Sequence, residues 1–187
     1  RDIVDALFHH LVAVALARLD QRKAARTQWK IALELSPGMT IAEQNLDELM
    51  LPIGHRHGAW PFSFTDWLPP QTVKDFQEIL GSLTRTNKSG KLQKTLQSFF
   101  DQHPQFIKQL PRILERGGLE GQLFMVALAE TCRDSEFIAA IKDFALGQNG
   151  TDQLRNQALM SLHKAGLLGQ KNVRMWLTGE WQEIKLL

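Results

Sequence analysis

No stretch of the chain restricts its possible folds more than the run from Leu11 to Pro37. Leu11, Val12, Val14, Ala15, Leu16 and Leu19 make a helix that is apolar on most sides, with Ala13 and Ala17 small enough to let another helix approach closely. A turn at Asp20-Gln21 follows. Ala24, Ala25, Trp29, Ala32 and Leu33 then recur at spacings of three and four, which predicts a second helix with one buried stripe. Ser36-Pro37-Gly38 ends it, because proline cannot continue the hydrogen-bond ladder and glycine supplies a left-handed exit. Thr40 to Leu51, carrying Ile41, Leu46, Leu49 and Met50, predicts a third helix beside the pair.

The rest of the sequence also reads as helical. Tyrosine and runs of Val, Ile and Thr are absent, so the expected class is all-α. With 43% hydrophobic and 22% charged residues, the 187-residue chain belongs among folded proteins and has length for one or two domains. Its net charge of +2 gives no general field of the kind that nucleic-acid binding uses. Arg22, Arg26 and Lys30 share one face opposite the apolar stripe, the pattern of a solvated face; a phosphate-binding or acidic-peptide surface is the alternative. The one cysteine, Cys132, excludes an internal disulfide framework and fits a reducing, cytoplasmic compartment. No apolar run approaches the ~20 residues that span a bilayer, and no signal peptide is present. The chain opens at Arg1 directly on helical sequence, as a piece of a longer protein would.

Between Leu51 and Pro70 the helical pattern breaks, and the segment from Ile53 packs Trp60, Phe62, Phe64 and Trp67 together with Pro61, Pro69 and Pro70. Leaving four aromatics in water forfeits several kcal/mol of burial at about 25 cal/mol per Å². The segment is therefore expected to lie pinned over the helices, sealing the seam between two modules or lining part of a groove with Trp60 and Trp67. Gln71 to Leu83 is helical again, and the polar, basic run Thr84 to Lys91 is the candidate joint. Beyond it, helices are expected around Leu92 to Phe100, Phe106 to Leu114, Leu119 to Cys132 (the most apolar, so covered on both sides), Phe137 to Phe144 and Leu154 to Leu162. A last helix is expected from Asn172 to Ile184, with Val173, Trp176, Leu177 and Trp181 closing the stack.

Ala13, Ala25, Trp29, Ala32 and Pro37 stand at the spacings of the tetratricopeptide repeat, a unit of roughly 34 residues, and the first quarter of the chain resembles that family. Thr40 to Leu51 would then cap the open end of the stack. Setting Gly121-Gln122-Leu123 beside Asp152-Gln153-Leu154 aligns Ala127 with Ala158 and Leu128 with Leu159, so the second half resembles HEAT-type helical hairpins. These resemblances imply an α-α superhelix of helical-hairpin repeats. Residues 1–52 would form a tetratricopeptide-like hairpin and cap, 53–90 an aromatic wrap, one helix and a joint, and 91–187 a HEAT-like domain.

A search for chemistry finds little. Gly117-Gly118-Leu119-Glu120-Gly121 lacks the lysine and spacing of a phosphate loop and reads as a helix stop and restart. His55 and His57 are one pair where zinc needs a third ligand and usually a fourth, and His9, His10, His103 and His163 are scattered, so no metal or cofactor is expected. Cys132 has no base spaced to activate it and reads as a buried small hydrophobe; Ser63, Ser89 and Ser161 lack an elbow motif. The carboxylates of Asp2, Asp5, Glu43, Asp47 and Glu48 follow solvent-facing periodicity. No catalytic role is expected. What the tetratricopeptide resemblance implies instead is a concave partner-binding face made by His10, Val14, Ala17 and Arg18 of the first helix and Gln44, Asn45 and Glu48 of the cap. His10 and Val14 depart from the set that clamps chaperone tails, leaving Asn45 as a lone match. The expected function is a scaffold for a partner protein's peptide or helix, without membrane contact. Its alternatives are a non-catalytic accessory domain of a larger enzyme, and nucleic-acid binding through Arg22, Arg26, Lys30 and the Arg85 to Lys94 region.

Overall fold

The computed structural model describes residues 2–83, 89–129, 133–169 and 172–186, and it is mostly helical. The expected joint at 84–91 falls largely outside the described residues, as does Cys132. No helix among the described residues is long and apolar enough to cross a membrane.

The first two helices, α1 (Asp2–Arg18) and α2 (Arg22–Leu35), are joined by a short turn in which Asp20 takes a positive φ of 58°. Ala13 meets Ala25 and Ala32 in a fully buried seam around Trp29, so the small residues do let the two backbones close together. Ala24, expected in the stripe, is exposed. α3 (Thr40–Glu48) packs on α2 through Ala42; it stops three residues earlier than the sequence pattern suggested, and Met50 points into solvent. This first core is small.

A second, larger core gathers Phe99 and Phe100 of α5 (Ser89–Gln102), Phe106, Leu110 and Ile113 of α6 (Pro104–Arg116) and Met125 and Val126 of α7 (Gly118–Leu128). It continues through Phe137 and Ile141 of α8 (Ser135–Leu146) and Leu154, Leu159 and Leu162 of α9 (Asp152–Lys164). The Phe99, Phe100 and Phe106 rings meet at centroid distances of 5.5–5.8 Å, within the range of favourable edge and offset contacts. α4 (Pro70–Leu83) adds Val73 and Ile79 to its border. Local chemistry sets the helix ends: the Asp134 carboxylate accepts the Glu136 and Phe137 amides, and the Thr151 hydroxyl accepts that of Leu154. Pro111 sits inside α6 on its solvent side, where water can take up the carbonyl that the missing amide leaves free.

One expectation fails here. α7 is not covered on both sides, since Leu119 and Leu123 are exposed. Ala127 is likewise exposed where its aligned partner Ala158 is fully buried, so the two positions do not share an environment.

The larger correction is at the C-terminal end. Asn172 to Ile184 is not a helix but most of an antiparallel hairpin, β1 (Asn172–Leu177) and β2 (Glu180–Lys185), in register Val173 to Ile184 and Trp176 to Trp181. Val173 and Met175 alternate inward on β1, and Thr178 and Gly179, both at positive φ (51° and 91°), make the two-residue loop whose twist suits paired strands. Val173, Trp176 and Leu177, three and four residues apart, supply the helix-like spacing; in the hairpin the Trp176 and Trp181 rings instead face each other at 5.4 Å.

A buried guanidinium locks this hairpin to the helices. Arg155, fully enclosed on α9, donates to the carbonyls of Gly150 and Trp176 and to the Asp152 carboxylate, which in turn accepts the Thr178 amide at 2.8 Å. Asp152 also lies against Gly54, filling the space a side chain there would need. Arg155→Met should lower stability by about 3 kcal/mol, because it strands Asp152 and two carbonyls, whereas exposed Arg174→Met should change it by about 0.5 kcal/mol or less. Urea titration of the two variants measures the difference.

Candidate functional site

The helical face that the sequence nominated for partner binding is occupied by the chain's own residues. The segment from His57 to Pro61 has no helix or sheet of its own, so its backbone groups need partners from elsewhere. α1 and α3 supply them. The Asn45 side chain, buried, donates to the Trp60 carbonyl and accepts the Trp60 amide, both at 3.0 Å, as a neighbouring strand would. Arg18 reaches the Ala59 carbonyl at 2.8 Å and pairs with Glu115 of α6 at 3.3 Å. Glu48 accepts the Gly58 amide with one carboxylate oxygen; the other lies 2.9 Å from the His57 ring nitrogen, without the alignment of a hydrogen bond. From below, Gln122 of α7 donates to the His57 carbonyl at 3.0 Å.

His10 completes the set in a defined protonation state. Trp29 can only donate, so its indole N–H at 3.1 Å makes His10 Nδ1 an acceptor and leaves the proton on Nε2, which donates to the Pro61 carbonyl at 3.0 Å. Burial pulls the His10 pKa below its ordinary value, against a smaller upward effect of the Pro61 carbonyl. Val14 is buried in the core beneath the segment. Of the nominated residues, then, His10, Arg18, Asn45 and Glu48 converge on residues 58–61, while Gln44 remains exposed.

Beside this strap runs an open groove of about 580 Å³. One wall is α3, through Ile41, Gln44, Asp47 and Glu48, continued by Leu51. Trp60, over which His57 is tilted at 4.5 Å, forms the floor. The start of α7, Gly118 to Glu120, makes the other wall, and Leu119 is 40% exposed there. Gly118 is required at that point: its φ is +67°, and a Cβ would stand 3.0 Å from the Trp60 ring. Trp67, the other nominated aromatic, is not in the groove; it is half-buried against the second core, 6.0 Å from the Phe62 ring.

Residues 117–120 and His57 were missed as groove elements. The Gly117-Gly118 pair was their one sequence signal, legible as a backbone that must pass close to something. Among the described residues no group of three or more His, Cys, Asp or Glu is placed to hold a metal ion. Glu48 and His57 form a buried carboxylate–imidazole pair next to the groove, and Glu48 is committed to the Gly58 amide. The chain matches no family model, and comparison with curated proteins and with solved structures returns no match.

Asn45→Ala should cost about 3 kcal/mol, since it leaves the buried Trp60 amide and carbonyl without partners, and Asn45→Asp should cost more by setting a carboxylate against that carbonyl. Thermal unfolding reads both. His10 contributes a pH dependence of definite sign: with its folded pKa depressed, the unfolded chain binds the extra proton, so this stability is present above about pH 6.5 and is lost as pH falls below it. His10→Gln, which can still accept from Trp29 and donate to Pro61, should flatten the stability profile between about pH 5 and 7. Urea midpoints across that range test it.

Proposed function

We propose that this chain is a protein–protein interaction scaffold that holds a peptide or helix of a partner in the groove between α3 and the start of α7. The observation that carries the reading is that the adjoining helical face already grips an extended segment by its backbone, through Arg18, Asn45 and Glu48, and leaves beside it an open, largely apolar concavity. Asn45 in particular meets both the amide and the carbonyl of one residue, a contact that any sequence could make. In this reading the strap is a built-in part of the surface, and Gln44, Glu48 and Trp60 serve the groove while His10, Val14, Arg18 and Asn45 hold the strap that shapes it. The resemblance to tetratricopeptide repeats supports the same role.

A second reading is favoured by the outer side of α1, where Val4 and Phe8 are 70% and 62% exposed and Leu11 continues the stripe. Such a row suits packing against a neighbouring domain, as in an accessory or regulatory module of a larger enzyme.

Selection of random heptapeptides displayed on phage separates the two. The groove reading expects enriched peptides whose affinity falls at least about tenfold on Leu119→Arg, a change at an exposed position that leaves both cores intact, and is unmoved by Phe8→Arg. Peptides sensitive only to Phe8→Arg, or no enrichment, would reject it.

A further inference from the structure

We infer that the occupant of the groove is a basic segment, an apolar anchor flanked by lysine or arginine; this rests on the groove being the binding site. The inference comes from charge. The chain as a whole is basic, with 22 Lys and Arg against 20 Asp and Glu. The groove runs against that balance: its charged lining consists of Asp47, Glu48 and Glu120, and neither lysine nor arginine stands in it.

The opposing contributions do not reverse the sign. Arg56, outside the lining but near enough to interact with Glu48, and His57, facing the same buried carboxylate, act on that one charge. The N-terminus of α7 presents roughly half a positive charge. Asp47 and Glu120 remain, both exposed, one on each wall. Neither carboxylate has a salt-bridge partner among the described residues, so a bound cation would displace no existing pair.

The apolar half of the specificity comes from Ile41, Leu51, Trp60 and Leu119, which leave space for one or two aliphatic or aromatic side chains between the acidic walls. An amphipathic segment that carries cations on either side of its apolar anchor satisfies both. An acidic segment would meet like charge on either wall, and a wholly apolar one would leave Asp47 and Glu120 beside a desolvated surface without a counter-charge.

The same phage selection, run on the native chain and on an Asp47→Lys/Glu120→Lys double variant, tests the composition of the occupant. The expected result is a clear excess of Lys and Arg around an apolar residue in groove-dependent peptides from the native chain, and of Asp and Glu from the double variant. Affinity of the native-selected peptides should drop by about tenfold between low salt and roughly 0.5 M NaCl. Groove-dependent peptides of neutral or acidic composition would overturn the basic-occupant inference and leave the scaffold reading standing. If no peptide depends on Leu119, both fall.

Discussion

The structure depends on giving hydrogen-bond partners to a stretch of backbone that has none of its own. Residues 57–61 are drawn against the helices by Trp60 and His57, and a buried amide or carbonyl left unmet there would cost about 1–3 kcal/mol. Asn45 meets two of these groups, and Gln122, Arg18, His10 and Glu48 meet others. Those side chains come from α1, α3 and α7, so satisfying the strap also fixes how the small first core stands against the large second one. The groove is a by-product of that arrangement. Trp60 can serve as its floor only because Gly118 lets the ring lie against bare backbone.

Much of this was legible in sequence, for a physical reason. Helices carry their signals locally, in the stripe of Ala25, Trp29 and Ala32, in the caps Asp134 and Thr151, and in Pro104 at the head of α6. Glu48 was not legible in this way: its spacing reads as solvent-facing, yet the side chain is only 6% exposed, and Asn45 was nominated through the tetratricopeptide resemblance. Their recipient was hidden too, because a side chain that bonds to backbone asks nothing of the residue it bonds to. Ala59 and Pro61 bear no mark of the Arg18 and His10 contacts they receive.

The hairpin was misread because its pattern is ambiguous over so few residues. Val173, Trp176 and Leu177 fall three and four apart, as on a helix, while Val173, Met175 and Leu177 alternate, as on a strand. Arg155 decides between them by collecting the Trp176 carbonyl, and that contact lies 21 residues away in sequence. In the weak internal repeat Leu128 and Leu159 are both buried, whereas Ala127 and Ala158 match in identity but one faces solvent and the other a packed neighbour.

The Arg155 and Asp152 cluster ties Gly54, at the root of the strap, to Thr178 at the tip of the hairpin. During synthesis these residues leave the ribosome several seconds apart at ordinary elongation rates of ~5–20 residues per second. Until Thr178 emerges, the strap has its helical contacts but lacks this anchor, and Trp60 must wait for α7 before its second side is covered. The nascent chain therefore passes through an interval with its aromatic stretch half-covered.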